Sequence, residues 1–153
     1  MSDEKQLCEN YAVSAVALHY LSIAEIAGIK TSVQLSIPVK TGRVQEIDLC
    51  VIVGNLLENA IEACKRQTCG ERFIKLYSSV EYDTLTVTMD NSFDSNYAEK
   101  DGVFLSAKRD GMGVGLSSVM AVARKYGGNA SFEVKENVFM SWVYVIMGKP
   151  EGK

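Results

Sequence analysis

The segment VGNLLENAIEACKR, residues 53–66, has the pattern of an amphipathic helix that carries two asparagines on its polar side. At about 3.6 residues per turn, residues 48–66 align a broad apolar arc, formed by Leu49, Ile52, Val53, Leu56, Leu57, Ala60, Ile61, Ala63 and Cys64. The opposite side holds Asp48, Asn55, Glu58, Asn59, Glu62 and Arg66. A solvated face is the common explanation, yet each asparagine costs roughly 0.5 kcal/mol of helix propensity relative to alanine. Amide oxygens beside carboxylates suit Mg²⁺, so the polar side is a candidate metal site.

Composition and charge place the chain among ordinary globular domains. The 153 residues are 47% hydrophobic and 23% charged, and the formal net charge is −3. That size fits one domain with a real hydrophobic core. The acidic balance argues against a general nucleic-acid or membrane-surface binder, although a local basic cluster could hold a small anion. The sequence shows no signal peptide and no apolar run of membrane-spanning length.

The cysteines predict reduced thiols rather than a metal site or a disulfide framework. Cys8, Cys50, Cys64 and Cys69 form no CxxC pair, and His19 is the only histidine. Because zinc sites need clustered cysteine and histidine ligands, this set is a poor match. Thiols packed in a core suit a reducing cytoplasm, which is the expected location of this domain.

Periodicity predicts three helices and about five strands. Helical spacing covers residues 4–29, 48–66 and 116–126, and strand patterns cover 31–39, 72–80 and 84–90. Residues 130–147 read as a hairpin that turns at Glu136 and Asn137. Gly127 follows the third helix where a left-handed cap is expected. The order predicts an α+β fold: a two-layer sandwich with three helices on one face of a mixed sheet.

The strand at residues 84–90 ends at an aspartate. Leu85, Val87 and Met89 alternate with threonines, which predicts one buried face. Asp90 then follows as the apparent last residue of the strand. Such an aspartate is usually a turn-former. It could also serve as a fixed acceptor for the exocyclic amine of a purine.

A glycine turn precedes the third helix. In RDGMGVGLSSV, residues 109–119, Gly111, Gly113 and Gly115 alternate just before the helical pattern. Glycines let backbone approach an anion, and a helix N-terminus offers unpaired N–H groups and a positive dipole end. A flexible hinge is the simpler explanation of the glycines. A Rossmann turn is excluded because no strand directly precedes them and a hairpin, not a crossover to a parallel strand, follows.

Together the three regions resemble the GHKL superfamily of ATP-binding domains, whose fold is the Bergerat sandwich. NLLENAIEA resembles the N-box, MDNSF the first glycine box and GMGVGLSSV the second. The resemblance covers nearly the whole chain. Among subfamilies the chain is most similar to the ATPase domain of Agr-type quorum-sensing sensor histidine kinases, in which GNLLENAIEA and a shortened NSF box are typical.

This resemblance implies roles for the metal and base ends of an ATP site. Asn59 would coordinate Mg²⁺, with Asn55 and Glu58 supporting that site. Asp90 would accept a hydrogen bond from the adenine amino group. Ser92 departs from the fuller family pattern, which has glycine after the adenine aspartate.

The resemblance also implies how the phosphates are held. Gly111, Gly113 and Gly115 would cradle them together with the helix N-terminus at Leu116. Residues 93–110 would form the ATP lid, with Phe104 as a candidate for its central phenylalanine. Lys108 or Arg109 could reach the outer phosphates, although a solvated surface role is the more common one for such residues.

The expected function is that of the catalytic domain of a histidine kinase. In gyrase-like hydrolases a water-activating glutamate stands where this chain has Asn55, and an amide cannot accept that proton, so phosphoryl transfer is favoured over hydrolysis. His19 lacks the flanking charges of a phosphoacceptor and is expected to be a packing or surface residue. The acceptor and dimerisation helices are therefore expected upstream, in a longer membrane sensor kinase that signals to a response regulator.

Two alternatives stay open at this point. One is a kinase of the same fold acting on protein serine, as in anti-sigma factors. The other is a nucleotide-binding module without catalysis, in which ATP changes a partner interface. Both would use the same site for ATP.

Overall fold

The computed structural model describes residues 6–94 and 113–148. Within them the elements follow the predicted order: α1 (Tyr11–Ile26), β1 (Lys30–Gln34), α2 (Glu46–Arg66), β2 (Phe73–Glu81), β3 (Thr84–Ser92), α3 (Gly113–Lys125), β4 (Asn129–Lys135) and β5 (Val138–Ile146). The strands form one sheet in the order β1-β2-β3-β5-β4. β1 runs parallel to β2, and the remaining pairs are antiparallel. The predicted α+β sandwich with a mixed sheet is confirmed.

The core lies between the sheet and the three helices. α2 packs against α1, α3 and β3 and forms the centre of the helical layer. Eight of the nine apolar residues predicted on its inner arc are buried: Leu49, Ile52, Val53, Leu56, Leu57, Ala60, Ile61 and Cys64. From the sheet, Leu85, Val87 and Met89 of β3 face this layer. The other sheet face carries more exposed side chains, and no helix of the described segments covers it.

α1 begins later than the periodicity predicts. The pattern starts near residue 4, but the helix starts at Tyr11 because Asn10 caps it. The Asn10 Oδ1 accepts the Val13 N–H at 3.0 Å, which satisfies one of the free amides of the first turn. The Asn10 amide also donates to the Glu46 carboxylate at 3.0 Å, tying the start of α1 to the start of α2.

Two strand boundaries also differ from the prediction. β1 ends at Gln34, although the alternation continues through Leu35 and Ile37, which are buried outside the strand. β3 runs two residues beyond Asp90, to Ser92, because β5 continues to pair with it there. Asp90 is therefore an interior residue of the strand.

The predicted turns and cap are present. β2 and β3 are joined through Tyr82, and β4 and β5 through Glu136, and both residues have φ of 58°. Gly127 has φ of +78° and caps the C-terminus of α3, as predicted. At Gly128 the backbone passes too close to β5 for any side chain, since a Cβ there would lie 1.7 Å from the Tyr144 carbonyl oxygen.

All four cysteines are free thiols, as predicted, but only Cys8 and Cys64 are packed in the core; Cys50 is half-buried and Cys69 is exposed. Burial raises the pKa of the Cys64 thiol, which packs in the core. In residues 6–94 and 113–148, no helix combines the length and the apolar character that crossing a membrane requires.

Candidate functional site

The polar side of α2 borders a cavity of about 320 Å³. Asn55, Glu58, Asn59 and Glu62 line it from this helix, and Gly115 lines it from the first turn of α3. The asparagines are half-buried and the glutamates are exposed. Helical spacing of three and four residues puts these four side chains on one stripe, which explains their convergence. The structure thus brings together the predicted metal-site residues and one glycine of the predicted phosphate turn.

Gly115 of α3 faces the asparagine stripe of α2. A Cβ built on it would lie 3.6 Å from the Asn55 Oδ1. The N-terminal turn of α3, a helix of 13 residues, thus opens beside Asn55. Leu116 is buried, so only its backbone is available to a ligand on this side. Free N–H groups of such a turn, together with the helix dipole, favour a bound anion.

The far end of α3 is fixed to the start of α2. The Tyr126 hydroxyl donates a short hydrogen bond to the Asp48 carboxylate, and the Lys125 ammonium lies 3.1 Å from the same oxygen. The Gln45 N–H donates to the Tyr126 hydroxyl at 3.2 Å. The Tyr126 hydrogen bond is the main cause that lowers the pKa of Asp48; partial burial opposes it and Lys125 adds to it. The C-terminal end of α3 is therefore fixed to the start of α2.

Arg43 reinforces this connection from the loop before α2. Its Nη2 donates to the Tyr126 carbonyl at 3.3 Å, and its Nε donates to the Ile146 carbonyl at 3.2 Å. One guanidinium thus joins the C-terminal cap of α3 to the last strand. The end of α3 that these hydrogen bonds fix is its C-terminus, which lies away from the cavity, whereas its N-terminal turn borders the cavity.

Asp90 lies on the face of the sheet opposite α2. It pairs with Lys75 on one side and Met140 on the other, in the half-exposed row of the sheet. A separate cavity of about 330 Å³ borders it, together with Glu133 and Trp142. Asp90 was predicted to close the strand and to accept a hydrogen bond from an adenine amino group; instead β3 continues to Ser92, and the alternation places the Asp90 side chain on the face away from α2.

Asn91 is the polar side chain that β3 directs toward the helices. It is 0% exposed, and its Oδ1 has no hydrogen-bond partner. Its Nδ2 donates to the Ser92 carbonyl at 2.9 Å. Asn91 has no predicted role from the sequence, although one further step of the alternation of Leu85, Val87 and Met89 places it on the helical face. Buried oxygens without a partner are uncommon in folded proteins, so this atom is a candidate ligand contact.

A second buried oxygen lies near Asn91 on the same face. Ser141 of β5 is 3% exposed and its Oγ has no hydrogen-bond partner. In the register Asn91 faces Phe139, two residues from Ser141, so Asn91 and Ser141 are diagonal neighbours. Such neighbours lie about 7–8 Å apart.

The C-terminal half of α2 lies over this end of β3. The Cys64 Sγ is 3.5 Å from the Ser92 Oγ, which also accepts the Phe73 N–H at 3.0 Å. Ser92, which departs from the family glycine, is thus a packed structural residue here. Its contact with Cys64 places Asn91 near the C-terminal half of the helix that carries Asn55 and Asn59.

The donor set of the α2 cavity fits a hard divalent cation. Two amide oxygens and two carboxylates are the ligand types that Mg²⁺ accepts beside water and phosphate. Among the residues described, no group of three His, Cys, Asp or Glu forms a metal site by itself. A cation here would therefore depend on the asparagines and on oxygens from a ligand.

His19 lies on α1 in a groove next to the α2 cavity. The groove is shared with Tyr20, Cys50, Gly54 and Asn55. The His19 ring makes an edge contact with Tyr20 at 4.9 Å between centroids. This environment agrees with the expectation of a packing histidine on a helix surface.

Several predicted residues lie outside the described part of the chain. They are Phe104, Lys108, Arg109 and Gly111, with most of the proposed lid at 93–110. Gly113 is the first residue of α3. Their proposed roles toward the phosphates stay predictions.

Comparison with known proteins identifies the family. The sequence model of the GHKL domain family matches residues 44–145, two thirds of the chain. The chain belongs to the GHKL family. No curated protein matches its sequence.

Several solved structures that share this fold are of histidine kinases. The nucleotide-free catalytic domain of histidine kinase ThkA has a TM-score of 0.65 at 20% identity, over 89% of this chain and 92% of that chain. Acinetobacter baumannii histidine kinase AdeS has a TM-score of 0.62 at 17% identity, over 90% of this chain and 64% of that chain. Full-length ShkA in complex with AMPPNP has a TM-score of 0.61 at 16% identity, over 88% of this chain and 29% of that chain.

Proposed function

We propose that this chain is the ATP-binding catalytic domain of a sensor histidine kinase of the Agr type. The observation that carries the proposal is the cavity in which Asn55 and Asn59 of α2 meet Gly115 of α3. GHKL membership and the fold shared with kinase catalytic domains support it. One of those kinases was solved with an ATP analogue, AMPPNP.

The groups that would hold a nucleotide are ordered along α2. Cys64 marks the base end through its contact with Ser92, Asn59 lies in the middle, and Asn55 meets Gly115 at the phosphate end. At 1.5 Å per residue, Cys64 and Asn55 are about 13 Å apart along the helix axis. That span suits an extended nucleoside triphosphate lying along the helix.

Asn91 replaces Asp90 as the acceptor for the adenine amino group in this proposal. The Asn91 Oδ1 is buried on the helical side of the sheet, whereas Asp90 lies on the other face. An amide presents its acceptor at a lower desolvation cost than a buried carboxylate.

Asn59 would bind Mg²⁺ through its amide oxygen, with Asn55 and Glu58 orienting the cation's waters. When bound, the ion would neutralise charge on the phosphates during transfer. Glu62 already has a partner in Arg66, at 3.7 Å, and its carboxylate would stay in the outer shell. The backbone N–H groups at the start of α3 would hold the phosphate oxygens.

Transfer to an external acceptor is favoured over hydrolysis. Asn55 occupies the helix position beside the phosphate turn, and its amide cannot take a proton from water. The domain positions the triphosphate and leaves nucleophile activation to the acceptor. The acceptor would be a histidine on a separate dimerisation domain, in a longer membrane-anchored protein that signals to a response regulator. His19 is not that acceptor.

Calorimetric titration of the folded chain with ATP, with and without Mg²⁺, tests the binding step. We expect magnesium-dependent binding that Asn59→Ala weakens. Radiolabelled ATP supplied with a purified dimerisation domain tests the transfer step, and acid-labile, base-stable phosphate on that domain is expected. Acid-stable phosphate on serine would instead indicate a serine kinase, and binding without transfer would indicate a regulatory module.

A further inference from the structure

We propose that the cavity on the outer face of the sheet, the face opposite α2, binds the guanidinium group of an arginine carried by a partner polypeptide. Asp90, Glu133 and Trp142 line this outer cavity, whose volume is about 330 Å³. No helix of the described segments covers the outer face, so a segment of another protein can reach it. The proposal goes beyond the ATP site, because the α2 cavity lies on the other side of the sheet.

The two carboxylates of the outer cavity lie on either side of one strand. In the register, Met140 of β5 pairs with Asp90 of β3 and with Glu133 of β4. Neighbouring strands are about 4.8 Å apart, so the Cα atoms of Asp90 and Glu133 are separated by roughly 10 Å. Met140 is half-buried between them. One flat cation therefore has room to lie between the two carboxylates, above the Met140 side chain.

The charge of these carboxylates is not neutralised within the described part of the chain. No ion pair of residues 6–94 and 113–148 includes Asp90 or Glu133. Lys75 pairs with Asp90 in the register, but its ammonium lies over the Phe73 ring, 5.4 Å from the centroid. Lys135 follows Glu133 by two residues along β4 and is exposed. The outer cavity thus offers negative charge to a cation from outside these segments.

Trp142 gives the outer cavity an aromatic wall. Its side chain is 44% exposed, and its ring contacts that of Tyr144 at 5.1 Å between centroids. A guanidinium is planar and weakly hydrated, stacks on aromatic faces and donates paired hydrogen bonds to a carboxylate. The lysine ammonium is instead a compact, strongly hydrated point charge. An aromatic wall beside two carboxylates therefore favours arginine over lysine.

Trp142 is the only tryptophan of the chain, so its fluorescence reports directly on the outer cavity. Titration of the unmodified chain with an acetylated and amidated Gly-Arg-Gly peptide should change this fluorescence in a saturable way. The same peptide with citrulline, which has nearly the shape of arginine but no charge, should give no saturable change. The lysine peptide should bind at least about threefold more weakly than the arginine peptide.

Variants test the carboxylates one at a time. Glu133→Gln keeps the shape of the side chain and should weaken binding of the arginine peptide about fivefold, the effect of losing one exposed charge pair. Glu81→Gln is the matched control, because Glu81 is an exposed carboxylate at the end of β2, outside the outer cavity. It should leave the affinity unchanged. Asn59→Ala, at the α2 cavity, should also leave it unchanged.

The outcomes separate this inference from the proposed function. Equal binding of the citrulline or lysine peptide, or no saturable change with the arginine peptide, would overturn it. Equal losses in Glu133→Gln and Glu81→Gln would show a general attraction to an acidic chain and would also overturn it. Retained peptide binding by a chain that does not bind ATP would support it and overturn the ATP site alone. Because the peptides are compared first on the unmodified chain, the test does not depend on any variant folding.

Discussion

Gly115 of α3 faces Asn55 of α2 so closely that a Cβ added at Gly115 would lie 3.6 Å from the Asn55 Oδ1, at ordinary van der Waals distance. This proximity places the N-terminus of α3 beside the asparagine stripe of α2. The two elements offer different interactions to a ligand. The N-terminus favours anions through its free N–H groups, and the stripe offers hard oxygens to a cation. A metal–phosphate ligand needs both at once.

Gly115→Ala should separate binding from folding. The added methyl group meets only ordinary contacts, and alanine is the better helix former by up to about 1 kcal/mol. We expect an unchanged or higher melting temperature. The methyl group would partly cover the N-terminal turn, so ATP affinity should fall about tenfold, or about 1.4 kcal/mol. Calorimetry and thermal denaturation on the same samples measure both effects.

Gly54→Ala is the control for that substitution. Its Cβ would lie 3.5 Å from Tyr20 and Val16, on the α1 side of α2. We expect the same gain in helix propensity with unchanged ATP affinity. Equal losses of affinity in both variants would show that helix packing, rather than the phosphate turn, controls binding.

Asn59→Ala should weaken binding chiefly when magnesium is present. Because the amide oxygen is assigned to the cation, the affinity for Mg-ATP should fall about tenfold, and the affinity for metal-free ATP should change little. Titrations with and without EDTA give both values. Lys65→Ala, an exposed change on the same helix outside the cavity, should have no effect. Equal losses with and without metal would remove Asn59 as a ligand.

Tyr126→Phe should destabilise the domain in a pH-dependent way. The hydroxyl donates to Asp48 and accepts from the Gln45 N–H, so its removal should cost about 1–2 kcal/mol of unfolding free energy at neutral pH. The hydrogen bond lowers the pKa of Asp48 in the folded state. Its stabilisation is therefore present above the unfolded-state value of about 3.9 and disappears as the pH falls through the folded-state value.

Urea unfolding of Tyr126→Phe and the unmodified chain at several pH values measures this difference. The two free energies should converge as the pH falls from 7 into the acid range below about 4. A gap that stays constant over that range would show that Asp48 is not the partner that gives Tyr126 its stabilising effect.

Asp90→Asn should leave ATP affinity within about twofold, because the side chain lies on the sheet face opposite α2. The sequence alone suggested the reverse, a loss of adenine binding. A fluorescent ATP analogue displaced by ATP gives the affinity directly. A tenfold loss of ATP affinity in a folded variant would show that Asp90, rather than Asn91, contacts the adenine.

Local periodicity was sufficient to predict the helical half of the site. Asn55 and Asn59 share one stripe because a helix repeats about every 3.6 residues, whatever packs around it. The hairpin turning at Glu136 was predictable for a similar reason, since the alternation breaks there and resumes. These features depend on residues close in sequence.

The base end of the site could not be predicted from local sequence, because it depends on the pairing of β3 with β5, which is distant in the chain. β3 continues to Ser92 because Val138 of β5 pairs with it there. Without that pairing, the sequence pattern ends at Asp90, and the aspartate appears to be a strand terminus. Once the strand extends, the period of two places Asn91 on the helical side and Asp90 on the other. A two-residue error in one boundary therefore changed which side chain was assigned to the base.

The attachment of α3 could not be predicted from the sequence either. Asp48 and Tyr126 are separated by 78 positions and meet only after the helical layer has formed. Neither residue belongs to a local motif that would indicate the contact. It matters for the site because it fixes the end of α3 opposite to Gly115.

A crystal structure of this chain with a non-hydrolysable ATP analogue and Mg²⁺ tests the central claim most directly. The account predicts the metal at the Asn59 amide oxygen, the phosphates at the N-terminal turn of α3 beside Gly115, and the adenine amino group at the Asn91 Oδ1. A nucleotide bound elsewhere, or one bound with its phosphates away from both α2 and α3, would contradict it.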